Sequence, residues 1–133
     1  MENTERSYSV TIGEHSDNLT HRQMIRYKDS TVHAKIDDAL NGENGNSTLV
    51  IRPAGYCVLD IHNEKSEDKD YKNYVIIDEA GTSWVTGSES FWRSFIDLWD
   101  ELKDDPEPWD IEIYRSPSKN YKGKFFLTCS LVG

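Results

Sequence analysis

From Thr48 onward the apolar and polar positions alternate in readable patterns. Thr48–Arg52 and Gly55–His62 are rich in Val, Ile, Leu and Tyr and read as two neighbouring strands, with Pro53-Ala54-Gly55 between them as a turn or bulge. Asn63–Asp70 (NEKSEDKD) contains no apolar residue and predicts a solvated loop, after which Tyr71–Asp78 (YKNYVIID) resumes as a strand and Ala80-Gly81 turns into a short extended stretch, SWVT. Thr86 stands three residues before Glu89, the spacing of a capping box, so a helix is predicted over residues 87–103. Phe91, Phe95, Leu98 and Leu102 form its apolar stripe and Trp92, Ile96 and Trp99 widen it, while Arg93, Asp97, Asp100, Glu101 and Lys103 fall elsewhere. Asp105-Pro106 and Pro108 end the helix. Asp110–Arg115 and Lys124–Val132 then alternate as two strands joined by the loop SPSKNYKG.

The N-terminal third is less regular. SYSVTI (7–12) alternates and suits an edge strand, but EHSDNLTHRQ has no clear period, so residues 1–29 are read as a mobile or docked arm. Asp29 or Ser30 can cap a short helix with Val32, Ile36 and Ala39/Leu40 on one face, stopped by NGENGN (41–46). The expected fold is therefore α+β: a small antiparallel sheet of about five strands, one amphipathic helix packed on it and a short N-terminal helix. Strand, strand, strand, helix, strand, strand is the order of a five-stranded oligonucleotide-binding barrel. It is equally the order of a one-helix-on-sheet sandwich. At 133 residues the chain is read as a single domain, with residues 30–133 as its folded core.

Composition narrows the setting. Four Trp, seven Tyr and four Phe are more aromatics than a disordered chain carries. No apolar run approaches the ~20 residues of a membrane helix, and the start MENTERSYSV lacks the basic and apolar regions of a signal peptide. These features place the protein in the cytoplasm, where Cys57 and Cys129, without CxxC spacing, are expected as thiols. The net charge of −9 is uneven: residues 111–133 carry +3 and residues 1–110 carry −12. An acidic remainder discourages indiscriminate adhesion to duplex DNA and to membranes, yet leaves room for a local anion site.

That basic island is the hairpin RSPSKNYKGKFF (115–126). Arg115, Lys119, Lys122 and Lys124 could track phosphates while Tyr114, Tyr121 and, from a neighbouring strand, Tyr56 stack bases, the mixture used by single-strand binders. Arg52 and Lys72 could extend the surface. The rival signal is the acidic set Asp97, Asp100, Glu101, Asp104, Asp105, Glu107 and Asp110, which can imitate a nucleic-acid backbone and present an inhibitor's face to a nucleic-acid-processing protein. Asp60, His62 and Glu64 alternate in a metal-ligand vocabulary, but no second cluster is spaced to complete a site, so they are read as a solvated strand face. No GxSxG, P-loop or HExxH occurs. The expectation is a non-enzymatic protein with no cofactor or metal. Trp92 and Trp99 are assigned to packing; if they stood exposed together, a homodimer or partner interface would account for them.

At GTSWVTGSESFWRSF and again at SPSKNYKGKFFLTC the chain resembles small proteins of bacteriophages and other mobile elements of Gram-positive bacteria, over roughly residues 50–131. The resemblance implies a replication or recombination accessory that holds single strands, or an inhibitor of host defence. It transfers no functional residues.

Overall fold

The computed structural model describes residues 8–40, 48–120 and 122–132. NGENGN and Tyr121 lie outside them. The fold is mixed α+β, with two sheets rather than the single sheet expected from the sequence. The strands are β1 (Tyr8–His15), β2 (Ala34–Lys35), β3 (Leu49–Ile51), β4 (Pro53–Asn63), β5 (Asp70–Asp78), β6 (Ser83–Thr86), β7 (Ile111–Pro117) and β8 (Phe125–Leu131). The helices are α1 (His21–Tyr27), α2 (Ile36–Ala39) and α3 (Glu89–Leu102). One sheet runs β1-β4-β5-β6-β2 and the other β3-β7-β8. Every pairing is antiparallel except β2 on β6.

Residues 49–63 belong to both sheets. The sequence suggests two neighbouring strands here, but β3 pairs with β7 while β4 pairs with β1 and β5. Only Arg52 separates the two segments, and the register shifts between Pro53 and Gly55, as the turn-or-bulge reading of that tripeptide allows. Pro53 supplies no N–H to a ladder, which lets the chain leave one sheet and enter the next. Arg52 fixes the crossing by donating from Nε to Asp110 Oδ1 at 2.8 Å, at the start of β7.

Alternation along β4 and β5 divides the core in two. Tyr56, Val58, Tyr74 and Ile76 face α3 and pack with Phe91, Trp92, Phe95, Ile111 and Ile113. Cys57, Leu59, Ile61, Val75 and Ile77 face the other way and pack with Tyr27, Val10, Ile12 and Leu19. With apolar residues on both faces, these strands read as continuous hydrophobic runs and require a cover on each side. The N-terminal arm is that second cover.

Three local expectations change accordingly. The arm contains a helix, α1, opened by a capping box in which Thr20 Oγ1 accepts from Gln23 N (3.1 Å) and Gln23 Oε1 accepts from Thr20 N (2.8 Å). The expected helix after Asp29 is broken: Ser30–Val32 is one 3-10 turn, Ala34–Lys35 pair with β6, and α2 follows for four residues. Leu40 and Ile36 still bury beside α3, as their spacing suggests. The cap of α3 is Ser88, whose hydroxyl accepts from Phe91 N at 3.2 Å, and Thr86 instead accepts from Ser88 N. Glu89 is thus the first helical residue and pairs with Arg93 one turn on.

Helix α3 also guards an edge. Ser90 Oγ donates to the Leu127 carbonyl at 2.9 Å and the Ser94 hydroxyl meets that of Thr128 at 2.9 Å, so the helix lies along β8 and shields it from further pairing. Among the described residues no ladder joins β6 to β8, and the sheets do not close into a barrel. No described helix is long and apolar enough to cross a membrane.

Candidate nucleic-acid interface

The basic hairpin forms, but its charges are unequal. Ser118 N donates to the Lys124 carbonyl and Gly123, with φ at +80°, makes the turn that only glycine adopts without strain. Lys119, Lys122 and Lys124 are exposed there, and none forms an ion pair with a described residue. Arg115 does: its guanidinium donates to Asp37 Oδ1 at 3.0 Å, which ties the neck of the hairpin to α2 and cancels that charge. The Tyr114 hydroxyl meets the Ser130 hydroxyl at 2.7 Å. Tyr56 is only 9% exposed and packs edge-on against Trp92, Phe95 and Trp99, so it has no free face for a base. Aromatic surface at the hairpin comes from Phe125 and Phe126, 63% and 39% exposed.

Arg52 and Lys72 do not extend the surface as free charges. Arg52 is bound to Asp110, and Lys72 lies 3.7 Å from Asp60. Asp60 is thereby separated from His62, whose Nδ1 meets Asp70 Oδ1 at 2.7 Å and whose Nε2 meets Glu64 Oε2. Among the described residues no group of three potential ligands is placed to hold a metal ion. Asp70 and then Glu64 stabilise the imidazolium and push the His62 pKa up.

A second basic surface is absent from the sequence reading. On the outward face of β4 and β5, away from α3, a groove of about 560 Å³ runs across the five-stranded sheet. Its floor is Val10, Leu59, Ile61, Tyr71, Asn73 and Val85. Lys28, Ser30, Thr31, His33 and Lys35 line it from the segment that follows α1, and Tyr8 lies at its β1 end. From β1 to β2 the sheet is four strand spacings, about 19 Å, wide. Among the described residues no Asp or Glu lines this groove, whereas hollows elsewhere on the surface carry carboxylates. Lys28 and Lys35 are exposed and make no ion pair with a described residue. Asp29, the nearest carboxylate in sequence, turns its Oδ1 to the amide and hydroxyl of Thr31, bonds that hold its pKa below the usual value.

His33 anchors this segment. Nε2 lies 2.7 Å from the Tyr27 carbonyl and must donate to it, and Nδ1 lies 2.8 Å from the Ser83 hydroxyl, which also reaches the Val32 carbonyl at 3.3 Å. Burial, the largest influence, lowers its pKa, so the ring is neutral at pH 7 and holds the covering segment by hydrogen bonds alone. The positive charge of the groove therefore rests on Lys28 and Lys35. The sequence held only part of the signal for this site: apolar residues at both parities of residues 56–61 and 74–77 demand a second cover on this face, but nothing in their spacing places Lys28 and Lys35 over it.

The acidic candidates divide as well. Asp97, Asp100 and Glu101 are exposed on α3 and Asp104, Asp105 and Glu107 are exposed in the loop after it, while Asp110 is held by Arg52. Both cysteines are buried thiols, Cys57 in the layer under the arm and Cys129 in the layer under α3, each pushed up to about 12 by desolvation. Comparison with known proteins finds no family model, curated protein or solved structure that this chain matches.

Proposed function

We propose that this protein is a non-enzymatic binder of single-stranded nucleic acid, an accessory of phage or mobile-element replication or recombination in the cytoplasm of a bacterial host. The observation that carries the reading is the groove. In a chain of net charge −9, a hollow of about 560 Å³ holds Lys28 and Lys35, neither in an ion pair with a described residue, and the tyrosines Tyr8 and Tyr71, and no described carboxylate lines it. Cations that track phosphates beside rings that stack bases are the ordinary means of holding a single strand without regard to sequence.

The strand order supports it. Counting residues 49–63 as one bent strand, the remaining order is β5, β6, α3, β7, β8, which is that of an oligonucleotide-binding barrel left open between β6 and β8. Such folds hold ligands on the face of their second and third strands, between the first-second and fourth-fifth loops. The groove spans β1, β4, β5 and β6 and so takes in the second and third strands of that count, and the lysine-bearing hairpin is the fourth-fifth loop. On this reading the groove holds the strand, and Lys119, Lys122 and Lys124, with Phe125 and Phe126 beside them, supply a second set of contacts.

Fluorescence titration with a single-stranded oligonucleotide and with its duplex, each at about 50 and 200 mM salt, tests the function. The expected result is salt-sensitive binding that favours the single strand. Absence of binding at the lower salt, or equal affinity for the duplex, removes it.

A further inference from the structure

On the α3 side of β4, away from the groove, two adjoining hollows of about 350 and 440 Å³ share Ala54, Trp99 and Lys103. Trp99 is the saddle between them. The first hollow is rimmed by Glu79, Asp105 and Glu107, the second by Asp17, Asp100 and Asp104. Trp99 lines both hollows; Trp109 meets it in the first at 6.1 Å between ring centroids and 61° between planes, and the largely buried Tyr56 backs it in the second at 5.4 Å and 83°.

Positive charge there is outnumbered. Arg52 lines the first hollow but is bound to Asp110, and Lys103 and His15 are the other basic side chains of the two linings. The field is felt by a neighbouring group: besides burial, Glu14, Asp100 and Asp17 all act to keep the Tyr56 phenol protonated. Pro106 and Pro108 stiffen the loop that carries two of the carboxylates, because each fixes its own φ. Carboxylates converging beside indole faces are a receptor for a guanidinium or ammonium group, which gains from both the charges and the ring quadrupole. The same charges repel a polyanion.

We propose that this trough docks a basic segment of a partner protein, with one cationic side chain in each hollow and the backbone crossing over Trp99 and Ala54. A polypeptide suits it better than a small polycation. The hollows adjoin over Ala54 and Trp99 with Lys103 beside them, so a continuous line of positive charge would meet the Lys103 ammonium and a linker that packs is favoured over one that is merely charged. The protein would then hold a nucleic-acid strand on one side of β4 and a basic partner on the other.

The test uses the full-length protein and a short acetylated peptide containing two arginines, followed through the indole N–H signals in NMR. Binding should move the Trp99 and Trp109 signals and leave those of Trp84 and Trp92 in place, and a matched citrulline peptide should do neither. Asp105→Asn with Glu107→Gln, both exposed and safe for folding, should weaken the peptide by about tenfold, and Trp109→Leu by about fivefold. Three outcomes overturn the proposal: no indole shift, equal affinity for spermidine, or loss on the carboxylate swap with indifference to Trp109→Leu, which would mean diffuse attraction without a trough. Oligonucleotide affinity measured on the same variants should not fall, so failure here is distinguishable from failure of the groove.

Discussion

Replacing Lys28 and Lys35 by alanine is the perturbation that separates the groove from the hairpin. Both side chains are exposed and outside any described ion pair, so the change alters charge with little effect on packing. Each phosphate contact on a single strand contributes about 0.7 to the slope of log affinity against log salt, so losing two should flatten that slope by about 1.4. Over a fourfold rise in salt, the wild type should lose about sevenfold more affinity than the double variant. Anisotropy of a labelled oligonucleotide at several salt concentrations measures both slopes. The comparison is Lys119→Ala with Lys122→Ala and Lys124→Ala, whose slope should fall by about 2.1 if all three lysines reach phosphates. A groove variant that keeps the wild-type slope while the hairpin variant loses its own would refute the placement of the strand on the sheet.

Phe95, fully buried between α3 and both sheets, should cost about 3–5 kcal/mol when changed to alanine, read from urea unfolding, and a cost below about 1 would contradict its central position. Ser88→Ala should cost about 1 kcal/mol through loss of the α3 cap, a change calorimetry can resolve. His62 has a raised pKa, so its contribution to closing the β4–β5 end is complete below about 6.5 and disappears as pH rises through the raised value. Amide exchange at residues 62–70 should therefore quicken on the alkaline side more than base catalysis alone gives, and His62→Gln should abolish the difference. Cys57 and Cys129 should resist an aromatic disulfide reagent at pH 8 in the native protein and react fully in denaturant, and prompt native reaction would show that the layers over them open.

Periodicity made most strands and α3 readable because each exposes one apolar parity or stripe to a core. It failed where tertiary pairing overrode local preference. Nothing in the apolar content of Thr48–His62 distinguishes a hairpin from one run shared by two sheets, since both need the same side chains and differ only in partners. Ala34 and Lys35 look like helix interior, yet pairing with Trp84 and Val85 and the His33 clamp hold them extended. Of the expected site, the lysines of the hairpin tip were legible as a run of like charge. The groove was not, because Lys28, Lys35, Tyr8 and Tyr71 are brought together only by the arm folding over the sheet, and spacing in sequence carries no trace of that. Tyr56 misled for the same reason: an aromatic beside a predicted basic surface looks available until α3 is seen to cover it.

The two-sided burial of β4 and β5 has a consequence for synthesis. The layer over one face is built from residues 8–40 and is translated before these strands, whereas most of the layer over the other comes from residues 89–131 and emerges last. For as long as the ribosome is still making α3, β7 and β8, a nascent chain has little beyond Ile36, Leu40 and Ile51 to lie against Tyr56, Val58, Tyr74 and Ile76. That interval makes a truncated chain ending before residue 89 prone to self-association and a natural client for chaperones.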